Sequence, residues 1–110
     1  MKLSEIKAEL LQLIGHGFDN RVSKEKLSAL IGVDQRTIRN GIASLRKDGV
    51  KIVSNAKHKG YFIYDDNPVD FEQAQIFIGE TYSRINQLRE MIEPIKNGVK
   101  DVSQLRMELK

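Results

Sequence analysis

Between Asp34 and Asp48 the chain reads Gln35-Arg36-Thr37-Ile38-Arg39-Asn40-Gly41-Ile42-Ala43-Ser44-Leu45-Arg46-Lys47. Wound as a helix at roughly 100° per residue, this segment puts Ile38, Ile42 and Leu45 on one side. Arg36, Asn40, Ala43 and Lys47 fall on the other, flanked by Arg39 and Ser44. These polar residue types carry the chemistry of base-edge recognition. Arginine can grip guanine with two hydrogen bonds, asparagine can do the same with adenine, and alanine can touch a thymine methyl. Taken alone, the segment fits an ordinary amphipathic helix with a solvated face equally well, so its surroundings must decide.

The surroundings are basic. From Phe18 to Gly60 there are ten Lys/Arg against four Asp/Glu, whereas from Asn67 to Lys110 there are six against seven. The positive charge is thus gathered in one stretch, as a phosphate-facing surface requires. Lys57, His58 and Lys59 lie together in a polar segment. Lysines at a hairpin tip can contact phosphate, and each contact adds to the salt dependence of binding. A solvated tip is the ordinary alternative, and His58 reads as a polar loop residue rather than a metal ligand.

Other chemistries find little support. The chain has no cysteine, which excludes disulfides, thiolate zinc sites and a Cys nucleophile. No P-loop, paired-histidine zinc motif or Gly-x-Ser-x-Gly is present, and His16 and His58 fall in different loops. Asp65-Asp66 reads as a linker and cap. The expectation is a protein that is not an enzyme and holds no cofactor or metal. No apolar run is long enough to span a bilayer, and the N-terminus lacks a signal-peptide core. A soluble, cytoplasmic protein without membrane partners is expected.

The elements that position these residues follow from periodicity. Leu3, Ile6, Leu10, Leu13 and Ile14 recur at helical spacing and stop near Gly15 and Gly17. Ser23 can cap a second helix, Lys24 to Ile31, with Leu27, Leu30 and Ile31 inward. Gly32-Val33 makes a tight turn, Asp34 caps the third helix, and Gly49 ends it in the left-handed conformation. Gly41 is costly inside a helix. It reads equally as room for a close neighbour, helix or DNA backbone, and as a tolerated weakness. Val50 to Val53 and Tyr61 to Tyr64 read as two strands joined by the loop Ser54 to Gly60, with a minor strand at Arg21-Val22.

Asn67 and Pro68 open a further helix, and Asp70 and Glu72 suit its first turn. Its stripe of Phe71, Ala74, Ile78, Thr81, Ile85, Leu88 and Ile92 advances by alternating steps of three and four, a heptad pattern. Phe77, Tyr82 and Met91 add apolar surface beside it. The stripe either packs on its own domain or pairs with a second chain, and its regularity favours a homodimer. Pro94 is expected to end the helix, Asn97-Gly98 to turn, and Val102, Leu105 and Leu109 to form a short last helix. The fold class is therefore mainly α with a small β-hairpin wing. A winged helix-turn-helix domain, residues 1–66, precedes a helical dimerisation or interaction extension, residues 67–110.

The run from Val22 through Gly32-Val33-Asp34-Gln35-Arg36-Thr37-Ile38-Arg39, its continuation Ile42 to Ile52, and Gly60-Tyr61-Phe62-Ile63 resemble the core of the biotin-repressor-type winged helix family. The match runs from about Leu3 to Asp65. The resemblance implies binding of double-stranded DNA as a dimer, with bases read by Gln35, Arg36, Arg39 and Asn40, and Ala43 beside them. It implies phosphate contacts from Ser23, Thr37 and the wing, where Lys57 and Lys59 lie; Lys24, Ser44 and Lys47 are further candidates for backbone contact. Asn40-Gly41 departs from the family's usual charged or bulkier pair, so base preference is not carried over. No large ligase or regulatory domain of the kind that often follows is expected, so no ligand function is carried over, and the chain resembles small phage-type or plasmid-type members. A transcriptional regulator or replication-origin binding protein is the leading expectation. A protein-interaction module, adaptor or inhibitor of a host protein, is the alternative.

Overall fold

The computed structural model describes residues 1–108, with side chains described through 99. Helix α1 spans Leu3–Leu13 and buries Ile6 and Leu10. Helix α2 spans Lys24–Ile31, with the Ser23 hydroxyl accepting the Lys26 amide proton at 3.1 Å. Gly32 follows at φ 81°, ψ 32°, a left-handed conformation that glycine adopts without steric cost. Its N–H closes on the Ser28 carbonyl at 2.9 Å. Leu30 is a correction. It was expected on the inner face and is 56% exposed, because this short helix packs along a narrow line through Leu27 and Ile31 that leaves Leu30 at its edge.

Helix α3 spans Gln35–Lys47 and buries Ile38, Gly41, Ile42 and Leu45. A Cβ on Gly41 would stand 2.6 Å from Leu10 Cδ1 and 3.2 Å from Ile6 Cγ2. The glycine therefore lets α1 cross directly on the α3 backbone, which resolves its two readings in favour of a close neighbouring helix. After Lys47 the Gly49 N–H bonds to Arg46 O and the Val50 N–H to Leu45 O, both at 3.0 Å. These are the paired closures of a Schellman motif, with Gly49 at φ 94°.

Strands β1, Ile52–Ser54, and β2, Tyr61–Ile63, pair antiparallel with Val53 opposite Phe62. β1 starts later than the sequence pattern, since the Val50 amide is committed to closing α3, and β2 ends at Ile63, although the Tyr64 N–H still reaches the Lys51 carbonyl at 2.9 Å. The minor strand at Arg21-Val22 is a two-way bridge, in which Val22 and Tyr61 exchange N–H···O bonds of 3.0 and 2.8 Å. A 3-10 turn at Phe18–Asn20 precedes it. The core is Ile6, Leu10, Ile14, Leu27, Ile38, Ile42, Leu45 and Ile52, with Val53 and Phe62 also buried.

Helix α4 spans Pro68–Glu108. The Asn67 side chain accepts the Asp70 amide proton at 2.9 Å, the expected cap. The expected stop at Pro94 and separate last helix are corrected: α4 runs unbroken through Pro94, Asn97 and Gly98. A proline removes only its own amide and crowds the carbonyl of residue Glu90, a local cost of about 3 kcal/mol. Val102 and Leu105 lie within α4, and Leu109 lies outside the described residues. The chain forms two compact units, Met1–Phe77 and Ile78–Lys110. Asn67–Phe77 thus group with the winged unit, beyond the boundary read at Asp66. The second unit is the remainder of α4, where Ile78, Tyr82, Leu88, Met91, Ile92, Ile95 and Val99 are exposed and Thr81 and Ile85 half-buried.

Candidate nucleic-acid interface

The polar face of α3 is presented by its buried one. Ile38, Ile42 and Leu45 anchor the helix, and Gln35, Arg36, Arg39, Asn40, Ala43 and Lys47 are all exposed, with Ser44 and Thr37 half-buried. The five residues expected to read bases therefore share one accessible surface. Asp34 Oδ1 accepts the Thr37 amide proton at 2.7 Å. The Thr37 hydroxyl and then its amide hold the Asp34 carboxyl below its usual value, against an opposing desolvation, with lesser help from the charges of Arg36 and Arg39. Thr37 is thus occupied with the cap, as is the Ser23 hydroxyl oxygen. A phosphate contact from either would be added to that role. Lys24, beside Ser23, is half-buried.

Arg46, on the same helix, does different work. Its Nε donates to the Ile52 carbonyl at 3.0 Å and its Nη2 to Ser54 Oγ at 3.3 Å. Its guanidinium lies 4.8 Å from the centre of the Phe77 ring. It ties α3 to β1 and to the start of α4, and is unavailable as a groove residue.

In the wing, Lys57 and Lys59 are exposed and His58 is half-buried. The loop is fastened from two sides. Asn55 Oδ1 accepts the amide protons of Lys57 at 2.8 Å and His58 at 3.4 Å. Its Nδ2 donates to Gln73 Oε1 on α4, and both amides are buried, at 7% and 8% exposure. From the other side, Arg21 Nε donates to the His58 carbonyl at 3.1 Å while its guanidinium sits 4.2 Å above the Phe18 ring. That ring meets His58 edge-on at 5.5 Å. Asp70, 1% exposed, accepts the amide protons of Phe18 at 2.9 Å and Asp65 at 2.8 Å.

Sequence reasoning missed Arg21, Asn55, Gln73 and the true role of Asp70, which it assigned only to the helix dipole. Asn55 had a usable signal, since asparagine just past a strand readily bonds the backbone two residues on. Gln73 had none, because a glutamine on a helix reads as solvated.

Among the described residues no helix is long and apolar enough to cross a membrane. Comparison with curated proteins and with solved structures returns no match. The family profile described as an HTH domain matches residues 7–62, from within α1 through the capped turn and α3 to β2. With half the chain matched and its helices, turn and hairpin in the winged order, the protein belongs to the HTH_11 family of helix-turn-helix domains.

Proposed function

We propose that the protein binds double-stranded DNA in a sequence-dependent manner, as a homodimer, in control of transcription or at a replication origin. The observation that carries this reading is the exposed α3 face of Gln35, Arg36, Arg39, Asn40 and Ala43, in a domain whose family points to DNA. Arg36 and Gln35 stand at the helix N-terminus, the end that approaches base edges in helix-turn-helix proteins. Lys47, Lys57 and Lys59 supply phosphate contacts.

Pairing through α4 is supported by the heptad stripe. Because α4 is continuous, the steps of three and four that reach Ile92 go on to Ile95 and Val99, both exposed. One set of seam positions is Phe71, Ile78, Ile85, Ile92 and Val99, and the other is Ala74, Thr81, Leu88 and Ile95, the alternating apolar seam of paired helices. A second copy is the occupant this pattern fits, covering Phe71, Ala74, Ile78, Thr81, Ile85, Leu88 and Ile92.

The test is a mobility shift with random duplex at low salt, set beside a pull-down from host lysate. Retardation of duplex that fades as salt rises is expected. Capture of a protein with no retardation of any duplex would overturn the reading in favour of an interaction module.

A further inference from the structure

We propose that Asn55 and Gln73 are positioning residues that hold the wing loop in its phosphate-facing form, an inference that rests on the DNA-binding reading. The loop from Ser54 to Gly60 carries Lys57 and Lys59, both exposed, and has no regular pairing of its own. On the α4 side its shape comes from one side chain. Asn55 Oδ1 takes the Lys57 and His58 amide protons, and so fixes the backbone from which the first lysine springs. The direction of that carboxamide is set in turn by Gln73, which takes its Nδ2 proton.

Both amides are buried, where an unpartnered polar group is costly. Losing Gln73 therefore frees Asn55 to turn toward water and release the loop. A loosened loop still carries its two lysines but no longer holds them against phosphate, because ordering it on DNA costs more than the two contacts return, so those contacts and their counterion release are lost. Asp70, one turn before Gln73, anchors the opposite side by holding the Phe18 amide, and Phe18 supports His58 and Arg21. The first turns of α4 thus grip the wing on two flanks, although neither Asn55 nor Gln73 needs to touch DNA.

The experiment measures duplex affinity against salt for the full chain, Gln73→Met, Asn55→Ala, the pair Lys57→Ala/Lys59→Ala, and the pair combined with Gln73→Met. Removing two phosphate contacts from each protomer lowers the log–log salt slope by about two per protomer, about four for the bound dimer. Gln73→Met and Asn55→Ala are expected to lower it by a similar amount with both lysines present. Adding Gln73→Met to the lysine pair is expected to change nothing further. A structural loss unrelated to the wing would add to the lysine pair instead, and that result, or an unchanged slope in Gln73→Met, overturns the proposal. Backbone order parameters without DNA give a second measure on any folded variant. Residues 56–60 are expected to become mobile in Gln73→Met, and a wing as rigid as in the unmodified chain contradicts the latch. The outcomes separate the two readings: a salt-dependent duplex affinity that Lys57 and Lys59 share but Gln73 does not move sinks the latch alone. No duplex affinity in the unmodified chain sinks both.

Discussion

Gly41 shows how one residue sets the geometry of the recognition helix. Replacing it with alanine gains roughly 1 kcal/mol of helix propensity. It also drives a methyl to within 2.6 Å of Leu10 Cδ1, and Leu10 is fully buried, so the clash is relieved only by repacking. Overpacking of this kind costs about 1–3 kcal/mol. Gly41→Ala is expected to be destabilised by about 1 kcal/mol net, with Gly41→Val worse, as thermal melts will read. At the other end of the turn, the Asp34 carboxyl titrates below its ordinary value near 3.8 because Thr37 and two arginines favour its ionised form. A depressed folded-state value contributes stability above the unfolded value and loses it as pH falls through the folded one. The melting-temperature gap between the native chain and Asp34→Ala is therefore expected to be full at neutral pH and to narrow below about pH 3.8.

At the scale of elements, residues that repeat were legible and residues that pair at a distance were not. The cap at Ser23, the turn at Gly32, the cap at Asp34 and the Schellman close at Gly49 are local chemistry, so α2 and α3 could be bounded closely from sequence. The exposed face of α3 followed from its buried one. Leu30 was misplaced because periodicity gives a stripe and not its width. Pro94 misled because a proline weakens a helix locally without having to end it. The wing's fastening was hidden, since Asn55 with Gln73 and Asp70 with Phe18 are pairings far apart in the chain. For α4, Ile85→Asp or Ile92→Asp places a charge in the proposed seam and is expected to yield a monomer by light scattering while leaving the winged domain folded. The flanking seam positions Arg84, Arg89 and Lys96 face no acidic counterpart in a parallel pair. Self-association is thus expected not to weaken as salt rises, the opposite of DNA binding.

For the whole molecule, the basic face and the long helix divide the work between contact and assembly. A dimer of helix-turn-helix domains reads two half-sites about one DNA turn apart or a multiple of it, so the operator is expected to carry inverted symmetry. Arg36 and Arg39 each contribute about 1–3 kcal/mol of discrimination if they bind guanine bidentately. Lys57→Ala is expected to weaken all duplexes alike and to lower the salt slope by about one per protomer, about two for the dimer. The most direct measurement is selection of bound duplexes from a random library by the native chain, Arg36→Ala and Arg39→Ala. The α3 face predicts a consensus with inverted half-sites for the native chain, relaxed at a different position by each variant. No enrichment over the starting library, or one unchanged consensus for all three proteins, would contradict base reading by this helix.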